Sequence, residues 1–131
     1  MKISGTFCAA LTPFKQDLKI DLDLYLKHCN NILREGADGI AIFGTTGEAN
    51  LISLNKKVET MNFLAENIDC SKLLPGTGLT SIEETITLSV LAKNLGMAGI
   101  LVLPSYYYKA TNQGIIDYYS KLIEEINDNN F

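Results

Sequence analysis

With 131 residues, 47% of them hydrophobic and 20% charged, the chain has the make-up of one ordinary globular domain with a real core. Its net charge of −4 and scattered basic residues exclude the clustered positive surface that nucleic-acid phosphates require. No apolar run approaches the roughly 20 residues of a membrane helix, and residues 1–6 carry no apolar signal core, so no membrane partner is expected and the default is a cytoplasmic protein.

The first apolar run, 7–11, reads as a strand that stops at Thr12-Pro13. Asp21 then offers an N-cap, and Leu22, Leu26, Cys29 and Leu33 follow at helical spacing until Gly36 ends the helix. Residues 40–43 are apolar without alternation, as in a strand buried on both faces. That strand, 39–44, leads into Gly44-Thr45-Thr46-Gly47-Glu48. Ser53 is expected to cap a second helix with an apolar stripe of Leu54, Val58, Met61, Ala65 and Ile68. A third strand over 72–77 runs into Gly78-Leu79-Thr80, and Ser81 with Glu84 forms a capping box for a third helix ending at Gly96. Ile100 opens a fourth strand closed by Pro104. A loop covers 105–111, and a last helix carries Ile115, Tyr119, Leu122 and Ile126 on one face, ahead of a polar tail over 127–131 that looks cut short.

Strand and helix thus alternate four times at a period of about 30 residues, one βα unit each. Gly36-Ala37-Asp38-Gly39-Ile40 is echoed by Gly96-Met97-Ala98-Gly99-Ile100, two units later. Continuous apolar strands separated by helices mean a parallel α/β sheet, either a doubly wound open sheet or part of a (β/α)8 barrel.

The turn at Gly44 holds small hydrogen-bonding residues where a buried strand surfaces, which suits an anion gripped by amides and hydroxyls, with Glu48 capping or orienting it. The alternative is a strand-to-helix turn whose threonines satisfy their own backbone. Gly76-Thr77-Gly78-Leu79-Thr80-Ser81 imitates a dinucleotide fingerprint, but Ser81 stands where the third glycine belongs, and no carboxylate ends the next strand. The barrel explains more. Thr12-Pro13, the Gly44–Glu48 turn, Gly76-Thr77-Gly78 and Pro104-Ser105-Tyr106-Tyr107-Tyr108-Lys109 each follow the carboxyl end of a strand, the face that carries barrel chemistry. Exposed tyrosine hydroxyls there suit proton relay or a subunit contact.

Cys8, Cys29 and Cys70 are an odd number without a Cys-x-x-Cys pair, so neither a disulfide framework nor a zinc site is expected. His28, the only histidine, reads as a surface residue, and no metal or cofactor is expected.

On Ala10-Leu11-Thr12-Pro13-Phe14, Gly44-Thr45-Thr46-Gly47-Glu48, Pro75-Gly76-Thr77-Gly78 and the tyrosine loop up to Gly114, the chain resembles the N-terminal half of the dihydrodipicolinate synthase / N-acetylneuraminate lyase family of Schiff-base aldolases. The resemblance implies that residues 1–131 are four βα units, half of a single (β/α)8 TIM barrel. It implies a site that binds a small 2-oxo acid, commonly pyruvate, as a lysine imine. By position, Thr46 and its amide, with Gly47 and Thr45, would hold the carboxylate. Thr45 and Tyr107 would be catalytic members of a proton relay, Tyr107 reaching into a neighbouring subunit.

Two departures accompany it. Lys56 replaces the usual capping-box Glu after Ser53, at a cost of roughly 1 kcal/mol. The family's imine lysine and a further catalytic tyrosine belong to the sixth and fifth strands, so both are expected to be missing from 131 residues. Lys109 is no substitute, since a nucleophilic lysine needs burial or a cationic neighbour to lose its charge. The chain therefore reads as the N-terminal portion of a pyruvate-class lyase. The alternative is a non-catalytic half-barrel whose open edges recruit a second copy or a separate C-terminal half.

Overall fold

Asp21 accepts a hydrogen bond from the Leu24 amide at 3.1 Å, which opens the first helix where an aspartate precedes an apolar-periodic run. In the computed structural model, which describes residues 3–128 and 131, the elements follow in βα alternation. They are β1 (Phe7–Ala9), α1 (Leu22–Arg34), β2 (Gly39–Ile42), α2 (Leu54–Asn67), β3 (Leu73–Pro75), α3 (Ile82–Asn94) and α4 (Asn112–Ile126). Short 3-10 turns at Ala49–Leu51 and Cys70–Lys72 lead into α2 and β3.

The sheet has order β1-β2-β3 and all pairs are parallel, with Cys8 opposite Ile40 and Ala41 opposite Leu74. The strands are shorter than the apolar runs that announce them. The fourth run makes one parallel bridge, Leu101 to Gly76, rather than a strand. Its amides and carbonyls still join β3, through Ala98 N to Leu73 O, Leu101 N to Pro75 O and Thr77 N to Leu101 O at 2.9–3.0 Å. With a strand neighbour on one side only, the segment is held by that register and by the Tyr119 hydroxyl, which donates to Val102 O at 3.0 Å. Leu101 and Leu103 on it are exposed.

β2 is the centre of the core: Ile40 and Ile42 have no exposed surface, and all four of its residues are buried. This is what an unbroken apolar strand buried on both faces requires. The two glycine echoes close α1 and α3 alike. Gly36 (φ +103°) and Gly96 (φ +72°) take left-handed backbone, and the following residue's amide returns to a carbonyl five residues back, Ala37 to Ile32 and Met97 to Ala92.

The helix faces are rotated from the apolar stripes. α1 buries Tyr25 and Cys29, with Leu22, Leu26 and Leu33 packed half-buried beside them. α2 centres its inner face on Lys57, Thr60, Met61 and Leu64, so polar residues occupy places that a hydrophobicity stripe passes over. On α4 it is Tyr118, not Tyr119, that is buried with Leu122 and Ile126. Its hydroxyl finds Thr85 Oγ1 at 3.1 Å, which makes burial of the ring affordable. Ser53 stands at the N-cap of α2 with extended backbone, but its side chain makes no capping bond. Lys56 instead pairs with Glu59 one turn on. Ser81 does cap α3, accepting from Glu84 N at 3.3 Å.

All three cysteines are free, and His28 is half-buried on the flank of α1. Among the described residues no helix is long and apolar enough to cross a membrane, and no cluster of His, Cys, Asp or Glu could hold a metal ion. Within the polar tail and the leader, residues 1, 2, 129 and 130 lie outside the described residues, while Phe131 packs half-buried against the core.

Candidate functional site

Four loops follow the carboxyl ends of the four extended segments, and side chains tie them into one rim. Thr12, after β1, is buried and donates its hydroxyl to Gly47 O at 2.7 Å. Tyr106, in the last loop, donates to Asn50 Oδ1 at 2.8 Å. Gly78 lies against the Leu103 backbone. The rim expected of a barrel face is therefore physically assembled.

Within it lies a cavity of about 510 Å³. The turn after β2 supplies Phe43, Gly44, Thr45, Glu48 and Asn50. Gly76 and Gly78 line it from the turn after β3, and Leu101, Val102 and Leu103 from the fourth segment. Gly76 is required here, because a Cβ in its place would collide with the Phe43 carbonyl. Phe43 itself has left-handed backbone, φ +58°, a conformation rare outside glycine, and this reverses the chain sharply into Gly44.

The turn closes through its own backbone: Gly47 N donates to Gly44 O and Glu48 N to Thr45 O, both at 3.1 Å. No threonine hydroxyl is needed for it. Among the described residues, the Thr45 and Thr46 amides donate to no protein acceptor, so two successive N–H groups remain available beside the cavity. Thr45 lines the cavity; Thr46 is exposed next to it and Gly47 is buried beneath. Glu48 does not cap the following 3-10 turn with its side chain but faces the cavity from a left-handed backbone, φ +54°.

The structure does not bring Tyr107 into this lining. Its side chain is 87% exposed, stacks edge-on against Tyr108 at 5.0 Å, and has left-handed backbone, φ +81°. Among the three tyrosines, the one bonded to the rim is Tyr106. Lys109 is exposed.

Beneath the Gly76–Gly78 turn runs a buried hydroxyl network. Tyr118 donates to Thr85 Oγ1, which also accepts from Leu79 N at 3.0 Å and donates to Ser81 O at 3.0 Å. Thr77 Oγ1 meets Ser89 Oγ at 2.8 Å, and Ser89 donates to Thr85 O. Every hydroxyl in it is satisfied, so the Gly76–Gly78 wall of the cavity is rigidly held.

Lys57 is the unexpected residue. It has no exposed surface, its Nζ has no hydrogen-bond partner, and it lies 5.8 Å from the Phe43 ring centroid. Burial brings its pKa down to about 8, opposed by the nearby charge of Glu84. A signal for it exists in the sequence. Position 57 falls three residues after Leu54 and four before Met61, in register with the apolar stripe. Tyr25, also fully buried, has its phenol held well above the ordinary range by burial, with Thr12 and the Phe43 backbone beside it.

A profile of the Dihydrodipicolinate synthetase family matches residues 2–131. The chain belongs to that family. It is 34% identical over 126 residues to 4-hydroxy-tetrahydrodipicolinate synthase 1 of Clostridium acetobutylicum, a match covering 94% of this chain and 42% of that protein. The crystal structure of dihydrodipicolinate synthase from Agrobacterium tumefaciens superposes with a TM-score of 0.86 at 31% identity, over 93% of this chain and 43% of that one. YagE, a prophage protein of the same family from E. coli K12 solved in complex with pyruvate, gives 0.86 at 27% identity, over 92% and 41%. This member of the dihydrodipicolinate synthetase family thus spans well under half the length of the relatives it matches. Its parallel α/β architecture is that of half of their barrel.

Proposed function

We propose that this chain is the N-terminal portion of a pyruvate-class Schiff-base lyase or aldolase, and that its cavity receives the carboxylate of a small 2-oxo acid. The observation that carries this is the pair of unpartnered amides at Thr45 and Thr46, beside a cavity that Thr45 lines. Successive backbone N–H groups at a turn form a concave donor pair that suits a carboxylate. A family relative binding pyruvate supports the choice of ligand.

In this reading the Thr45 and Thr46 amides hold the carboxylate, Gly47 shapes the turn with its own amide already given to Gly44 O, and the Thr45 hydroxyl passes protons during imine formation and carbon–carbon bond making. Tyr107 completes the relay in a neighbouring copy's site, which fits its outward position and a hydroxyl that donates to nothing among the described residues. The lysine that forms the imine belongs to a part of the barrel beyond these four units. Titrating pyruvate into the isotopically labelled chain is the test. The expected result is saturable shifts of the Thr45 and Thr46 amides. Shifts elsewhere only, or none, overturn the assignment.

A second reading is a half-barrel that works by association. The exposed Leu101 and Leu103 on the outermost extended segment favour it, since a bare apolar edge recruits a pairing strand. A second copy or a C-terminal half-barrel would cover that edge. Sedimentation tests this: an oligomer is expected, and a folded monomer at high concentration counts against it.

A further inference from the structure

We propose that the buried ammonium of Lys57 makes the cavity selective for a carboxylate over a neutral carbonyl compound, its charge reaching the guest past the Phe43 ring. This rests on the 2-oxo acid reading and names a specificity residue for the same site.

Phe43 both lines the cavity and lies under the Lys57 Nζ, and it directly precedes the Gly44-Thr45 segment that lines the same space. Lys57 does not itself reach the cavity, so it acts as a field and not as a contact. The charged residue in the lining is Glu48, whose sign repels an anion. The free amides of Thr45 and Thr46 must therefore bind a carboxylate against an unfavourable local charge, and Lys57 supplies the opposite sign from behind the wall. Its Nζ has no hydrogen-bonding partner and no carboxylate at contact distance, so Glu84 offsets only part of its charge, and a low-dielectric interior screens the rest weakly. At an effective dielectric of about 20, two unit charges roughly 10 Å apart change an affinity by roughly tenfold.

The surrounding groups leave this assignment intact. On α2, Lys56 and Glu59 pair with each other outside the core. From α3, Glu84 acts on Lys57 without forming an ion pair at contact distance. α1 presents Tyr25 and Cys29, both held protonated by burial, and β2 presents no titratable side chain.

The experiment compares pyruvate with pyruvamide, a neutral isostere, on the 131-residue chain and on Lys57→Met, with affinities read from the Thr45 and Thr46 amide shifts. Methionine keeps most of the apolar stem of the side chain, one heavy atom shorter, and removes the charge. The variant is expected to bind pyruvate roughly tenfold more weakly and pyruvamide equally well. On the unaltered chain, pyruvate affinity is expected to fall as pH rises through about 8, with pyruvamide flat. Equal pyruvate affinity in both proteins, or a parallel loss for both ligands, overturns the role of Lys57 while the site stands. If the unaltered chain binds neither ligand, the 2-oxo acid site falls, and the role of Lys57 with it.

Discussion

The Tyr106 hydroxyl donates to the Asn50 side-chain oxygen at 2.8 Å, joining two rim loops that lie 56 residues apart in the chain. Asn50 lines the cavity, so this bond holds one part of its mouth to the tyrosine loop. Both partners are at least partly exposed, and water competes for each. Tyr106→Phe is expected to cost no more than about 1 kcal/mol of global stability. Its signature is local: amide exchange across 48–51 should quicken while the β2 amides stay protected. Unchanged exchange in that segment would show that the bond does not hold the rim.

Thr12 and Gly47 give a contrasting case, because their bond is buried. Thr12→Val preserves shape and leaves the Gly47 carbonyl without its donor, a loss of about 1–3 kcal/mol. Urea unfolding of the two proteins measures it. A difference below about 0.5 kcal/mol would mean that the carbonyl finds water or another donor.

Stability should depend on pH through Lys57 with an unusual sign. Its folded pKa, about 8, lies below the ordinary 10.5, so between these values the unfolded chain binds more protons and stability rises with pH. Below about 8 the full penalty of the buried charge is present. Cys29 and Tyr25 act oppositely: their folded pKa values are raised, so they remove stability above their ordinary values of 9.0 and 10.0. The clean observable is the difference between the unaltered chain and Lys57→Met. The variant's stability advantage is expected to be largest below about pH 8 and to shrink towards about pH 10.5. An advantage that does not vary with pH would contradict a buried, titrating amine.

Pyruvate with borohydride should leave no mass adduct on this chain. Lys57 is the lysine whose depressed pKa suits imine chemistry, but its Nζ is sealed from the cavity. Lys109 is exposed on the tyrosine loop and does not line the cavity. A stoichiometric adduct on either would place the nucleophile within these four units.

The βα order, the helix-ending glycines and the loops of the rim were legible because each has a local cause: an apolar run, a capping aspartate, a left-handed glycine. Thr45 stood out as a small residue where a buried strand surfaces, and it lines the cavity. What escaped was set by packing between elements. Lys57 occupies an apolar position, and composition alone assigns a lysine to solvent. Tyr118 and Tyr119 are neighbours that both turn inward, Tyr118 buried with its hydroxyl on Thr85 and Tyr119 half-buried with its hydroxyl on Val102 O. Tyr106 and Tyr107 are likewise adjacent, and the reach to Asn50 distinguishes them.

The strands lie side by side in the order in which they are translated, β1 then β2 then β3, with the fourth segment beside β3. A nascent chain leaving the ribosome thus finds each pairing partner already in place. No loop longer than a single βα repeat has to be closed, and closure entropy grows only logarithmically with loop length. Assembly can proceed vectorially, one repeat at a time, with the growing edge always the part most recently made.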